Sequence, residues 1–286
     1  MTNIFYVNGD YVPESDAKLP VRDLAILRGY GVFDYLRTYG GQPFRLDKNI
    51  ERFRRSAELL ELQFPWSNDD LRQIVLETVK RNAGNADDFS IRLVVTGGIS
   101  SSNITPDGDP SLIVYVQPFT PYPATCYTDG VKVITVPNQR LIPDAKSIMY
   151  TPAILAQRRA KEQGGMEAIY RTPDDHILEA TTSNVFLFQD ETLITTPTNG
   201  EILPGITRMT VLELAEATFT VDVRPVTYAD LISADEAFLS SANKEVMPIV
   251  QVDDHRIGTG TPGTHTRDLM TRFDALKTRR ASGQAL

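Results

Sequence analysis

Short β-rich runs, broken every few residues by Gly, Pro or Asn, constrain this chain more than any other feature. "IFYVNGDYV", "GVFDYLRTYGGQPFRL", "SIRLVVTGG", "SLIVYVQPF", "VKVITV", "EAIYR", "HILEA", "NVFLFQ" and "TLITT" follow one another without the regular strand–helix alternation of a parallel βαβ array. Asn8-Gly9 between two such runs is a hairpin signal. In the second run the period of two puts Phe33, Tyr35, Arg37 and Tyr39 on one face and Asp34, Leu36 and Thr38 on the other. The class that follows is mixed α/β, of α+β type.

Helices are fewer and separately capped. One is predicted from about Asp47 to Leu60, with Asp47 as cap, an apolar stripe of Ile50, Phe53, Ala57 and Leu60, and Arg52 off that stripe. Ser67 caps a second. Thr151 is the expected cap of a third, with Pro152 at its first position; Ile154, Leu155 and Ala160 share a face, and Gly164-Gly165 ends it. "LPGITRMTVLELAEAT" opens a fourth, and the basic "LKTRRASGQ" reads as a frayed end of a C-terminal helix. "TPYPATCYTDG" is rich in Pro, Thr and Gly. The expected division is therefore a small α+β domain over 1–119, a linker over 120–130 and a larger domain over 131–286.

Bulk properties remove several classes of function. The 286 residues are 41% hydrophobic and 23% charged, ordinary for a globular protein. A net charge of -8 without a basic, aromatic-laced cluster argues against nucleic acid as partner. The single cysteine, Cys126, cannot form an internal disulfide, and the three histidines lack metal-ligand spacing, so no metal is expected. No apolar run approaches about 18 residues and "MTNIFYVNGDYV" lacks a signal-peptide layout, so neither a membrane nor export is expected and a cytoplasmic protein is. The two commonest nucleotide fingerprints are missing.

Three places can carry chemistry, and each has a plain structural alternative. Lys146 and Tyr150 lie four residues apart ahead of the third helix; an amine held there becomes nucleophilic if desolvated, while most lysines are simply solvated. Glu179, in "ILEATTSNVF", sits in an apolar strand-like run, where a carboxylate must be paired or neutralised unless it is an exposed strand end. Pro204-Gly205 leads into Ile206 and Thr207, whose helix-start amides suit a phosphate, with Arg52 as matching cation; the same hexapeptide also reads as an ordinary loop-to-helix junction. Jointly they fit one chemistry. Pyridoxal phosphate needs an amine, an acid partner for its ring nitrogen, a donor near its ring oxygen and an anion cradle.

With these residues in view, the sequence resembles the class IV (fold type IV) pyridoxal-phosphate aminotransferases. The likeness runs from "RGYGVFDYLRTYGGQPFRLDKNIERFRRSAELL" through "PDAKSIMY" and "GGMEAIYRTPDDHILEATTSNVFLF" to "LITTPTNGEILPGITR" and "ADEAFLSSANKEVMPI". The resemblance implies a two-domain enzyme whose larger domain has a β-barrel-like sheet with flanking helices, working as a homodimer. It implies Lys146 as the Schiff-base lysine and proton carrier, Glu179 as partner of the ring nitrogen and Tyr150 as donor to the ring oxygen. Arg52 and the Ile206 and Thr207 amides are implied as the phosphate cup. "SSANKEV" takes the other phosphate-side loop; relatives often carry Thr at Ala242, so Ser241, Asn243 or backbone amides stand in there. The reaction implied is ping-pong exchange of an amino group between amino acids and 2-oxo acids.

The substrate is read from the strand residues. No R-x-H pair precedes the expected linker, and "FDYLRTY" stands where branched-chain enzymes resemble "FEGIRVY", so Tyr35 replaces a glycine while Arg37 matches. "ILRGYG" offers Arg28 as a carboxylate clamp, unless it pairs with Asp23 or Asp34. A D-amino-acid transaminase is the favoured expectation. A branched-chain L-amino-acid aminotransferase comes second and an aminodeoxychorismate lyase third; a binding protein that kept the fold and lost turnover is the reading from outside enzymology.

Overall fold

The computed structural model describes residues 2–282. The chain forms two compact units, one of residues 2–120 with 145–149 and 277–282, the other of 121–144 with 150–276.

The first unit holds β1 (Ile4–Val7), β2 (Asp10–Pro13), α1 (Leu24–Arg28), β3 (Gly31–Tyr39), β4 (Gln42–Pro43), α2 (Leu46–Leu59), α3 (Asn68–Arg81), β5 (Phe89–Thr96) and β6 (Ser111–Pro118). Its sheet, in the order β2-β1-β6-β5-β3-β4, is antiparallel throughout. β3 alternates as its sequence period requires: Val32, Asp34, Leu36 and Thr38 are buried, Phe33, Tyr35 and Arg37 half-buried. α2 and α3 bury Ile50, Phe53, Ala57, Leu71 and Val75, each worth up to about 1.5–3 kcal/mol for the larger side chains. Ser67 caps α3 through a full capping box with Asp70. α2 starts differently from the expectation: Arg45, in left-handed backbone at φ 49°, is its cap residue, and Asp47 already lies in the first turn, where it pairs with Arg72 at 2.6 Å.

The second unit contains α4 (Thr125–Thr128), β7 (Val131–Pro137), α5 (Thr151–Glu162), β8 (Glu167–Arg171), β9 (His176–Ala180), β10 (Asn184–Gln189), β11 (Thr192–Thr195) and α6 (Ile206–Ala215). β12 (Thr220–Val223), β13 (Val226–Thr227), α7 (Tyr228–Ile232), β14 (Glu236–Ser241), β15 (Glu245–Val252) and β16 (His255–Arg256) follow, and then α8 (Thr264–Ala281), whose residues from 277 on belong to the first unit. The sheet order is β12-β11-β10-β14-β15-β7-β8-β9-β13, with β16 beside β15. β9 and β10 lie far apart in that order, yet only residues 181–183 join them, so the sheet must curl until they meet. Val133, Ile169, Leu187, Leu239 and Met247 fill the enclosed core. This is the barrel-like sheet with flanking helices.

Several details differ from the expectations. Within the expected 120–130 linker, Tyr122, Cys126 and Tyr127 pack on the second unit's core. The 145–149 segment belongs to the first unit because its backbone bonds to β3. The basic C-terminal stretch is helical to Ala281, and Arg280 donates to the Pro43 carbonyl at 2.8 Å; Gly283 and Gln284 lie outside the described residues. α5 is capped by Tyr150, with Thr151 and Pro152 in its first turn, and its buried stripe is Ala153, Ala156 and Ala160. Small side chains let α5 sit close on the sheet, leaving Ile154 and Leu155 exposed. Among the described residues, no helix is long and apolar enough to cross a membrane.

Candidate active site

Lys146 sits on a backbone pinned from both sides. Its N–H donates to Ser56 Oγ at 3.0 Å, and its carbonyl accepts from the Phe33 N–H at 2.9 Å. Ile148 N–H bonds Gly31 O, and Ser147 bridges Val32, so the segment adds a short strand to the start of β3. Gly31 is required there, because a Cβ would come within 2.7 Å of Val95 O. The Lys146 ammonium lies 4.6 Å from the centre of the Phe33 ring.

Arg52, on α2, makes a two-pronged pair with Asp34: Nε to Oδ2 at 2.9 Å and Nη2 to Oδ1 at 2.8 Å. Asp34 is fully buried and also accepts from the Tyr35 N–H. Asp34, which alternation placed on the face opposite Phe33, Tyr35 and Arg37, therefore orients the candidate phosphate arginine.

In the second unit Glu179 is buried at the end of β9, not an exposed strand end. Its Oε1 accepts from Arg140 Nη1 at 3.1 Å and its Oε2 from the Leu203 N–H at 3.2 Å. A carboxylate held by a guanidinium and an amide is fixed in direction. Tyr170 stands in the same cluster. Burial pushes its phenol up to about 12, Glu179 and Tyr150 add to the rise, and Arg140 opposes it. Tyr150 itself is half-buried at the start of α5.

The second unit's anion-cup candidates lie around Asn184. Its Nδ2 donates to Leu203 O at 3.0 Å, and it pairs in register with Ser240 of β14. Gly205 precedes α6 so closely to Asn184 that a Cβ would lie 2.0 Å from its Oδ1. Ile206 and Thr207 open α6, whose first amides have no intrahelical acceptor. On the neighbouring β14–β15 turn, Ser241 Oγ accepts from the Lys244 N–H, and Ala242 and Asn243 are half-buried. The buried Ser240 Oγ and Asn243 Oδ1 have no hydrogen-bond partner. A hydroxyl left open beside free helix-start amides fits a phosphate.

Of the candidate substrate residues, Tyr35 and Arg37 share the half-buried face of β3. Arg37 is sandwiched over the Phe119 ring at 3.4 Å and Tyr39 at 4.4 Å. Arg28, at the end of α1, is exposed, and its hydrogen bond goes to the adjacent Leu27 carbonyl. It does not pair with Asp23, which holds Thr96 Oγ1 and the Ala25 N–H, nor with Asp34.

Three groups escaped the sequence reading. Arg92, on β5 between Tyr35 and Tyr115 in register, lies 5.4 Å from the Phe33 and Tyr35 rings and 5.7 Å from Tyr115; its buried Nε has no acceptor. Phe33 thus touches both this guanidinium and the Lys146 amine. Arg140 had no signal beyond being polar in a loop. The third is the buried pair of Glu167 and Lys244, 3.1 Å apart, in which Glu167 also accepts from Thr181 Oγ1, Ser183 Oγ and both the amide and hydroxyl of Thr182. Among the described residues no cluster of three His, Cys, Asp or Glu side chains could hold a metal ion.

A family profile described as "Amino-transferase class IV" matches residues 31–252. A Methanocaldococcus jannaschii protein assigned, provisionally, as a branched-chain-amino-acid aminotransferase is 34% identical over 282 residues, covering 96% of each chain. A Staphylococcus epidermidis D-alanine aminotransferase is 33% identical over 280 residues, covering 96% of this chain and 97% of its own. Among solved structures, a branched-chain amino acid aminotransferase of T.th., bound to pyridoxamine 5'-phosphate, superposes with a TM-score of 0.88 at 26% identity, over 100% of this chain and 96% of that one.

Proposed function

The chain belongs to the class IV aminotransferases, of fold type IV, which use pyridoxal 5'-phosphate, and on that premise we propose that it moves an amino group between a D-amino acid and a 2-oxo acid. The cofactor supplies, when bound, an aldehyde that condenses with amines and a ring that withdraws electrons. Lys146 is the amine that anchors the cofactor and, once released, carries the proton to and from the substrate carbon; its pinned backbone keeps that amine on a short leash. Glu179, held in place by Arg140, partners the ring nitrogen, and Tyr150 donates to the ring oxygen. Arg52, the Ile206 and Thr207 amides and the 240–243 turn take the phosphate. The open hydroxyl of Ser240 supports that fit.

The D-specific reading rests on Arg28. Its guanidinium is exposed and engages neither of the aspartates that would have made it structural. A bidentate arginine is suited to a substrate carboxylate. A branched-chain L-amino-acid aminotransferase is the second reading, favoured by the aromatic face of Phe33, Tyr35 and Tyr115. Exposed Leu141, Ile154 and Leu155 support assembly as a homodimer, to be read by light scattering.

The test is a half-reaction followed by absorbance. Purified enzyme without acceptor is mixed separately with D-alanine, D-glutamate, L-leucine and L-glutamate, and the loss of the lysine-bound cofactor band is recorded. Loss with the D-compounds only is the expected result; loss with L-leucine and L-glutamate moves the enzyme to the branched-chain group. In the same assay Arg28→Ala weakens D-substrate binding roughly 10- to 100-fold with the cofactor retained. Unchanged binding removes Arg28 from the site.

A further inference from the structure

Arg208 lies in the first turn of α6, two residues after Ile206, and only 7% of it is exposed. Its Nη2 donates to the Thr196 carbonyl at 3.0 Å, and its buried Nε has no acceptor at all. No carboxylate pairs with it among the described residues, and α6 has no acidic residue in its first turn. Burial alone acts on the guanidinium and pushes it down to about 10.

Each of these facts is unfavourable for a chain standing alone. A buried guanidinium needs a counter-charge. The start of a helix already carries the positive end of its dipole, so a cation there is on the wrong side. Amides, dipole and guanidinium add up to a concentrated positive field, with no carboxylate paired to the guanidinium among the described residues, which is the complement of a dianion.

We propose that Arg208 is the buried counter-charge for the phosphate of the bound cofactor, acting from behind the first turn of α6 as a positioning and affinity residue. The proposal rests on the reading that the Ile206 and Thr207 amides face that phosphate. It makes an unusual demand. Removing the charge while keeping the bond to Thr196 must weaken phosphate recognition without weakening the cofactor-free protein.

The experiment compares pyridoxal 5'-phosphate with pyridoxal, which lacks the phosphate, by absorbance titration of the full chain stripped of cofactor. Thermal midpoints are recorded with and without inorganic phosphate. Arg208→Gln is expected to lower the preference for the phosphorylated form roughly 10- to 100-fold. It should shrink the midpoint rise given by inorganic phosphate and leave the stripped protein at least as stable as the parent. Arg208→Lys, which keeps the charge, should keep most of the preference. An unaltered preference in Arg208→Gln overturns the proposal. So does loss of its fold, because the Thr196 bond then explains the residue.

Ile206→Pro tests the underlying reading separately. Gly205, at φ -68° and ψ 134°, already has the backbone that precedes a proline, so the change deletes one amide at a tolerated position. If Ile206→Pro leaves the preference intact, α6 is not the phosphate site, whatever Arg208→Gln does.

Discussion

Asp34 has no exposed surface, and both of its oxygens hold Arg52. Breaking a buried pair from one side leaves a buried charge uncompensated, so Asp34→Ala should cost about 3–5 kcal/mol in urea unfolding. Asp34→Asn, which keeps one acceptor oxygen and the Tyr35 amide bond, should cost less. A loss below about 1 kcal/mol for Asp34→Ala would place the pair in the class of exposed ion pairs and sink the argument. Residues of this kind were unevenly legible in the sequence. Alternation along β3 put Asp34 on the face opposite Phe33, Tyr35 and Arg37, and the helical period put Arg52 off the apolar stripe, but neither pattern says which face is buried or that the two meet. Arg92 was one more polar position in an alternating strand; its aromatic surroundings come from β3 and β6, distant in sequence. Arg140 became recognisable only once Glu179 was seen to bond it.

At the level of elements, the junction before α6 shows what a glycine does when its backbone angles are ordinary. Gly205 has a negative φ, so conformational freedom does not explain it. Room does: an added Cβ would lie 2.0 Å from Asn184 Oδ1 and 3.3 Å from Arg208 Cβ. Gly205→Ala must displace Asn184, which would then release the Leu203 carbonyl whose own N–H holds Glu179. The expected outcome is a loss of about 1–3 kcal/mol in thermal or urea unfolding together with weaker cofactor binding. Binding unchanged at reduced stability would separate the junction from the cofactor. The helices themselves were read well where side chains cap or stripe them, as with Ser67 and the α2 stripe. They were read poorly where backbone decides. Arg45 starts α2 from a left-handed conformation that no composition rule announces. α5 turns alanines to the sheet; the expected face of Ile154, Leu155 and Ala160 caught Ala160 but drew in two large side chains that are exposed.

Global stability turns on Glu167 and Lys244, which belong to strands and turns that no local signal joins. Burial pushes the Glu167 carboxyl up, but the Lys244 charge and the hydroxyls of Thr181, Thr182 and Ser183 outweigh it and hold the group below its usual range. Burial pushes the Lys244 amine down, and Glu167 outweighs that and holds it above. A depressed carboxyl stabilises above its unfolded value of about 4.3 and loses that contribution as pH falls through its folded value; a raised amine stabilises below about 10.4 and loses it as pH rises. The pair therefore contributes fully between those limits. Lys244→Met reverses the first sign. With the ammonium gone, burial dominates Glu167, its folded value moves above the unfolded one, and the carboxyl is best tolerated protonated, at low pH. The deficit of Lys244→Met against the parent should thus be about 3–5 kcal/mol near pH 8 and smaller near pH 5, read from urea midpoints at both. Adding Glu167→Gln removes the stranded charge, so the double variant should recover part of the loss at pH 8 and show a flatter dependence on pH than Lys244→Met. A deficit equal at the two pH values, or a double variant no better than the single, would mean that shape rather than charge ties the 181–183 turn to the β14–β15 loop.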